Sequence, residues 1–85
     1  AGDAELWSLL GDLEYGTERW GAAREAYARV AELDPSRGRA WLMQGACSMK
    51  LADHDAAREA LGRARRQDGV AAEAERLLGY LDTPD

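Results

Sequence analysis

The amino-acid sequence predicts an all-α domain, and three observations support that prediction. The 85 residues are dominated by Ala, Leu, Glu and Arg, which lose little conformational entropy on entering a helix, and Phe is absent. Only two prolines are present to interrupt helices. The sequence also repeats itself after 34 residues, so that Trp7 corresponds to Trp41. A repeat of this length is typical of helix-turn-helix arrays. A chain of this length forms one domain, 1–85, with a thin core.

The repeat becomes visible when each residue is compared with the one 34 positions later. We name this spacing of 34 residues the repeat offset. An identical five-residue block and several Trp and Gly residues recur at that single offset. The sequence therefore divides into a first repeat, 4–37, a second repeat, 38–71, and the start of a third at 72–81. The aligned positions are Trp7 with Trp41, Gly11 with Gly45, Gly45 with Gly79, and block 22–26 with block 56–60.

Apolar residues spaced three to four apart predict five helices, which we place in order along the chain. Asp3 and Asp53 are the predicted N-caps of the first and fourth helices. The second helix ends before Asp34-Pro35, because a residue that precedes proline avoids the helical conformation. Asp68-Gly69 separates the fourth helix from the fifth. The predicted bounds are about 4–16, 19–33, 37–51, 54–67 and 70–81, with 82–85 as a tail.

The predicted core is the apolar stripe of each helix. Gly11, Gly45, Ala23 and Ala57 have almost no side chain, which lets the two helices of a repeat approach closely, and a tryptophan fills the wider gap beside each contact. In helix order the stripes are Leu6, Leu9, Leu10 and Leu13; Ala23, Tyr27, Val30 and Ala31; Trp41, Met43, Cys47 and Leu51; Ala57, Leu61 and Ala64; and Ala74, Leu77, Leu78 and Leu81.

The repeated residues resemble the tetratricopeptide (TPR) family pattern, Trp-x2-Leu-Gly-x2-Tyr followed by Ala-x3-Phe and Pro. The resemblance covers about residues 4–71, and Gly79 continues it. It implies a right-handed solenoid of helical hairpins with 72–81 as a capping helix, and a function in protein binding. Departures are Glu14 and Ser48 at the Tyr position, Gln44 at Leu, Gly69 at Pro and Glu75 at the third Trp. Matching residues are Trp7, Leu10, Gly11, Ala23, Tyr27, Pro35, Trp41, Gly45, Ala57 and, as an apolar residue at the Phe position, Leu61.

Charge and composition bear on the classes of partner. The net charge of −5 argues against a general nucleic-acid binder, because affinity for phosphate backbones requires a positive face. Residues 1–36 carry three bases and eight acids, residues 37–71 seven bases and four acids, and residues 72–85 one base and four acids. No apolar stretch has the length of a membrane span. Ten of the eleven bases are Arg, which is typical of a GC-rich bacterial genome. Nothing decides the compartment, although the cytoplasm is favoured over the periplasm.

The residue types that support catalysis are few, and we expect no enzyme activity, cofactor or metal. Cys47 lies on a buried stripe without an evident base, which indicates a packed core thiol. The run Asp53-His54-Asp55 is compatible with a metal site, but adjacent residues on a helix point in different directions. His54 also follows Trp20 by the repeat offset, which favours a structural role.

The TPR resemblance implies that a partner protein or peptide binds the concave side, formed by the first helix of each repeat. We name the ten candidate residues there the open face. Four of them form a mildly apolar strip suited to peptide recognition: Tyr15, Leu42, Met49 and Tyr80. The alternative is that these residues are the edge of the core. The open face consists of Ser8, Asp12, Tyr15, Arg39, Leu42, Ala46, Met49, Lys50, Arg76 and Tyr80.

Two further functions are compatible with the sequence. The first is structural assembly. No polar cap precedes the first helix, so its leucines have an uncovered flank, and we expect either further repeats in a longer protein or a homo-oligomer. In that second case the acidic first repeat would meet the basic cluster of another copy; the alternative is ordinary surface pairing, such as Glu59 with Arg63. The basic cluster consists of Arg58, Arg63, Arg65 and Arg66.

The second further function is that of a secretion-type chaperone.

Overall fold

The computed structural model describes residues 2–82, and these residues form five helices with no strand. The all-α prediction is therefore confirmed. Ala1 and the predicted tail residues 83–85 lie outside the described residues. In chain order the helices are α1 (Gly2–Gly16), α2 (Trp20–Leu33), α3 (Gly38–Lys50), α4 (His54–Ala64) and α5 (Ala71–Asp82).

The predicted helix ends agree with the structure to within one to three residues, and the differences have local causes. α1 begins at Gly2, so Asp3 lies inside its first turn and its prediction as the N-cap is wrong. Asp53 is confirmed as the N-cap of α4, since its Oδ1 accepts a hydrogen bond from the Ala56 N–H at 3.4 Å. α4 ends at Ala64 because the next residues form turns, and α5 continues to Asp82.

Each helix packs against the next one along the chain, and α5 also contacts α3. The molecule is elongated, with principal extents of 41, 27 and 17 Å. The two hairpins make the same close contact. Gly11 lies against the ring of Tyr27, and Gly45 lies against Leu61, so that a Cβ atom on either glycine would be 2.7 or 2.5 Å from its neighbour. Both pairs are related by the repeat offset, which confirms the predicted close approach.

The turns that end α1 and α3 repeat as well. Glu18 and Ala52, which are related by the repeat offset, have φ values of 62° and 59°, in the left-handed region. The Asp53 N–H donates to the Ser48 carbonyl at 2.8 Å, and the Ala52 N–H donates to Met49 at 3.0 Å. This is the hydrogen-bond pattern of a Schellman cap, which satisfies the last carbonyls of a helix. It directs the chain from α1 into α2 and from α3 into α4.

The buried core confirms the predicted stripes of α2 and α4. On α3 and α5 it contains only Cys47 and Ala74 of the predicted stripes, while Trp41, Met43, Leu77, Leu78 and Leu81 are half-buried against it. Leu51 is exposed just after the end of α3. The predicted stripe of α1 is wrong, since Leu6, Leu9, Leu10 and Leu13 are all exposed. α1 instead packs through its opposite face, where small side chains allow close contact with its neighbours. The residues of that face are the buried Ala4 and Gly11 and the half-buried Ser8 and Tyr15.

Candidate interaction surfaces

The apolar strip predicted on the open face is not continuous in the structure. Leu42 is 6% exposed and belongs to the core, and Met49 is half-buried against the same cluster. Tyr15 packs edge-on against Trp20, with ring centroids 5.0 Å apart. Tyr80 is 66% exposed. Three of these four side chains therefore lie at the core or its edge, and Tyr80 alone offers a large apolar surface on the predicted strip.

A polar network occupies the middle of the open face. Tyr27 Oη and Arg39 Nη2 both donate hydrogen bonds to Asp12 Oδ1, the second over 2.9 Å, and the Arg39 guanidinium lies 5.8 Å from the Tyr27 ring centroid. Burial acts to raise the pKa of Asp12, but the two hydrogen bonds outweigh it and lower that pKa. Burial and the bond to Asp12 raise the pKa of Tyr27. The network links α1, α2 and α3 and keeps Asp12 ionised.

A second ion pair joins α1 to the start of α3. Arg37 Nη2 lies 2.8 Å from Glu5 Oε1, and Arg37 Nε donates to Asp34 Oδ2 at 3.1 Å. Asp34 also accepts hydrogen bonds from the hydroxyl and N–H of Ser36. The bonds from Ser36 and Arg37 lower the pKa of Asp34. Two acids of α1, Glu5 and Asp12, are thus already paired with Arg37 and Arg39 at the start of α3.

The remaining open-face residues vary in accessibility. Lys50 lies over the Trp20 ring, with its Nζ 5.2 Å from the centroid. Arg76 Nη2 is 3.7 Å from Glu73 Oε2, and both side chains are exposed. Ser8 and Ala46 are half-buried. The accessible part of the open face is therefore mainly polar, apart from Tyr80.

The predicted basic cluster is dispersed rather than continuous. Arg58 donates to the Leu81 carbonyl at 3.3 Å and lies 3.7 Å from Asp82 Oδ1. Arg63 lies over the Trp41 ring, 4.9 Å from its centroid, instead of pairing with Glu59. Arg65 and Arg66 are exposed beyond the end of α4. These contacts favour the ordinary surface role over a single cationic patch.

Sequence reasoning missed a groove that the structure repeats. Arg29 lies over Trp7 at 5.9 Å, as Arg63 lies over Trp41 at 4.9 Å, and a depression adjoins each pair. The volumes are about 560 Å³ beside Trp41 and about 230 Å³ beside Trp7. The larger groove has α2 as an additional wall, whereas the smaller one is bounded by α1 and α2 alone. The match of Arg29 with Arg63 at the repeat offset was the available signal.

Three leucines on the outward side of α1 form what we name the leucine ridge. Leu6, Leu9 and Leu13 are 65%, 64% and 62% exposed. Their spacing of three and four residues aligns them along one side of the helix. An aligned row of large exposed apolar side chains is unusual on a folded surface and marks an interaction site more often than scattered single residues do.

The α3 residues equivalent to the leucine ridge are covered by α2. Ala40, Met43 and Cys47 follow the ridge leucines by the repeat offset. Ala40 is buried in one cluster with Val30, and Cys47 is buried in another with Tyr27, against which Met43 also packs. In the second repeat, therefore, this face of the helix is an interhelix contact.

The α5 residues equivalent to the leucine ridge are covered in the same way. Ala74, Leu77 and Leu81 follow their counterparts in α3 by one more repeat offset. They lie in one cluster with Leu61 and Ala64 of α4, in which Ala74 is fully buried. The same helix face is thus covered by a preceding helix in both cases that the described residues contain, while on α1 it is open.

The side chains with nucleophilic or metal-binding chemistry are not assembled into a site. Burial raises the pKa of the Cys47 thiol to about 11, and the thiol is fully enclosed. His54 is exposed at the start of α4, whereas Trp20, its counterpart at the start of α2, is half-buried. Within residues 2–82, no three or more His, Cys, Asp or Glu side chains are grouped so as to hold a metal ion.

Comparison with known proteins adds no family assignment. Neither a scan against protein-family models nor a search of curated proteins gives a match to this chain. None of the helices in residues 2–82 combines the length and apolarity needed to cross a bilayer.

Proposed function

We propose that this chain is a non-catalytic protein–protein interaction module that binds an α-helix of a partner protein on the leucine ridge. The observation that carries the proposal is the exposure of that ridge, whose equivalents on α3 and α5 are each covered by a helix. The TPR-like repeat of the sequence supports the same class of function. Removing three leucines from water supplies apolar burial of the kind that drives protein association.

The shape of the bound partner follows from the two internal examples. α2 crosses the equivalent face of α3, and α4 crosses that of α5, and both are helices. A helix placed on α1 in the same register would meet the same kind of surface, a row of side chains spaced three and four residues apart. A helix therefore fits this site better than an extended strand, which has no edge to pair with in this all-helical structure.

A non-catalytic role is supported by the state of the one thiol. Nucleophilic catalysis by cysteine requires the thiolate, and burial disfavours that form in Cys47. The described ionisable groups with lowered pKa values are Asp12, Asp34 and Asp53, and each is held by a structural hydrogen bond. These perturbations stabilise helix contacts and do not form an acid–base pair.

The test compares two variants of the purified chain. In the first, Leu9→Ser and Leu13→Ser are combined to remove most of the ridge; in the second, Leu33→Ser changes an exposed leucine at the end of α2 as a matched control. A partner identified by photo-crosslinking from the ridge is purified, and its affinity for each variant is measured by calorimetry. We expect the double variant to bind at least about tenfold more weakly and the control to bind like the unaltered chain.

Circular dichroism provides the necessary control for folding. Because the ridge is exposed, the double variant should keep the helical signal and the unfolding transition of the unaltered chain. Equal affinity of all three proteins for the partner would show that the ridge is not the binding site.

Binding of a peptide on the open face is the second candidate, and the exposure of Tyr80 favours it. Its apolar ring and polar hydroxyl suit an interface, and the neighbouring Arg76 would favour an acidic segment. If this candidate is correct, Tyr80→Ala should lower the affinity for the partner, and the Leu9→Ser, Leu13→Ser variant should leave that affinity unchanged. Comparing Tyr80→Ala with the ridge double variant therefore distinguishes the two surfaces.

A further inference from the structure

We infer, on the basis of the proposed function, that the partner on the leucine ridge is a second copy of this chain and that the bound helix is its α1. The two α1 helices run antiparallel and are related by a two-fold axis beside Leu9. Three features of the described residues carry this inference: the placement of the exposed apolar side chains, the size of Leu6, and the charges on the two sides of the ridge.

The only apolar row in the described residues that matches the leucine ridge is the ridge itself. Within residues 2–82, the large apolar side chains that are exposed outside α1 are Leu33, Leu51 and Tyr80. They lie at the end of α2, just after α3 and in α5, so none of these helices offers a row that covers three leucines. A contact between two identical surfaces across a two-fold axis is also the commonest form of self-association.

The spacing of the ridge suits an antiparallel copy of itself. Leu6 precedes Leu9 by three residues, and Leu13 follows it by four. When a second α1 crosses antiparallel at Leu9, the two Leu9 side chains meet, and Leu6 of each copy meets Leu13 of the other. These three layers have the alternating spacing of a left-handed helical seam. The ridge is therefore complementary to its own copy along its whole length.

The size of Leu6 distinguishes the ridge from the two internal contacts. Its equivalents at successive repeat offsets are Ala40 and Ala74, which are 3% and 0% exposed in clusters with residues of α2 and α4. A leucine at a position that holds an alanine in both covered cases would overpack a helix seated equally close. A further repeat of the same kind thus fits the ridge poorly. Two interdigitating rows of leucines, whose helix axes lie further apart, fit it well.

On one side of the ridge the acids of α1 are already paired. Glu5 and Asp12 are two helical turns apart and so lie on the same side of α1. Arg37 Nη2 is 2.8 Å from Glu5 Oε1, and Arg39 Nη2 is 2.9 Å from Asp12 Oδ1. A two-fold axis between antiparallel helices keeps the same side of each together, so Glu5 lies opposite Asp12 of the second copy. Each carboxylate brings its own guanidinium, and the copies meet here as ion pairs and not as like charges.

The other side of the ridge supplies an apolar contact and opposite charges. Leu10 is 40% exposed and lies next to Leu9, where it meets Leu10 of the second copy near the axis. Asp3 is exposed and makes no ion pair within residues 2–82. Arg19 lies at the opposite end of α1, 4.0 Å from Glu14 on the same side as Asp3, and 72% of its side chain is exposed. The antiparallel arrangement brings Arg19 of each copy to Asp3 of the other.

Sedimentation equilibrium of the full chain over a concentration series tests the dimer. We expect a monomer–dimer equilibrium whose dissociation constant rises at least about tenfold in the Leu9→Ser, Leu13→Ser variant and is unchanged in the Leu33→Ser control. A monomer at every concentration up to about 1 mM would overturn the inference. A dimer that the leucine changes leave intact would overturn it as well, because its contact lies elsewhere. The proposed function is decided separately, since it stands if crosslinks from the ridge identify another protein whose affinity depends on the same leucines.

A charge exchange tests the orientation. Arg19→Glu and Asp3→Arg each place like charges opposite one another and should raise the dissociation constant several-fold, whereas the chain with both changes should dimerise like the unaltered one. Within one chain these residues lie at opposite ends of α1, about 20 Å apart, so restoration requires a contact between copies. Failure of the combined changes to restore the dimer would overturn the antiparallel arrangement.

Discussion

Gly45 of α3 lies directly beneath the side chain of Leu61 in α4. A Cβ atom on Gly45 would come within 2.5 Å of both Cγ and Cδ2 of Leu61, closer than real Cβ contacts allow. Leu61 is fully buried and cannot move aside without displacing its own neighbours. We expect Gly45→Ala to lower the free energy of unfolding by about 1–3 kcal/mol, because overpacking a tight contact forces shifts of side chain or backbone.

Gly62 is the matched control for this substitution. It lies within α4, next to Leu61, and a Cβ atom there meets nothing within 4 Å. Gly62→Ala should therefore raise the free energy of unfolding, by up to about 1 kcal/mol, through helix propensity alone. Urea denaturation monitored by circular dichroism gives both values. A rise in the free energy of unfolding for Gly45→Ala as well would contradict the close contact.

Asp12 gives a prediction about pH. Replacing it with Asn removes the charge that holds both Tyr27 and Arg39, and we expect a loss of about 1 kcal/mol in the free energy of unfolding at neutral pH. The value is modest because the side chain is partly exposed and solvent screens the pair. Glu75→Gln, a change of an exposed acid on α5, should have little effect.

The sign of the pH dependence follows from the lowered pKa of Asp12. Its carboxyl has a pKa below the usual 3.8 in the folded state, so its contribution is complete above that value and disappears as the pH falls through the folded-state pKa. The difference between the unaltered chain and Asp12→Asn should thus be constant from about pH 5 to pH 8 and shrink towards zero in strong acid. Thermal melts of both proteins, from neutral pH into strong acid, measure this difference in stability. A difference that grew on acidification would contradict the network.

How far the sequence determines the structure differs between α1 and the other helices. The internal repeat located both hairpins, and the glycines at positions 11 and 45 identified the close contacts, because only a missing side chain permits them. The stripe of α1 was predicted wrongly because that helix has apolar residues on more than one side. Periodicity alone identified the larger row, Leu6, Leu9 and Leu13, while the packing of α1 uses the smaller side chains.

The candidate sites show the same limit. The open face was predicted as a set of positions, and the structure divides that set by contacts that no spacing reveals. Asp12 and Arg39 meet across two helices, and Leu42 is enclosed by the packing of α5. Such relations depend on the relative placement of separate helices, which the repeat period does not specify. Burial of Cys47, by contrast, was predictable because its position lies within one helix stripe.

Ala52 occupies a backbone conformation better suited to glycine. Its φ of 59° costs an alanine about 1 kcal/mol or more, since Cβ approaches the neighbouring carbonyl. Ala52→Gly should therefore stabilise the chain by about 0.5–1 kcal/mol, after the greater entropy of glycine in the unfolded state is subtracted. Ala22→Gly, at an exposed helical position of α2, is the control and should be destabilising by about 1 kcal/mol. Urea midpoints that fall for both variants would contradict the left-handed turn.

Cys47 reports on the opening of the core and links these predictions. The thiol is fully buried between α2 and α3, and burial raises its pKa to about 11, only partly offset by Arg24. Reaction with a disulfide reagent requires an exposed thiolate, so near pH 8 labelling of the native chain should be at least about a hundredfold slower than in concentrated urea. Gly45→Ala, which destabilises the same helix, should accelerate labelling, with the logarithm of the rate rising in proportion to the loss of unfolding free energy. Native labelling as fast as that of a free thiol would show that the contact between α2 and α3 opens without global unfolding, and the leucine ridge could then no longer be interpreted by analogy with that contact.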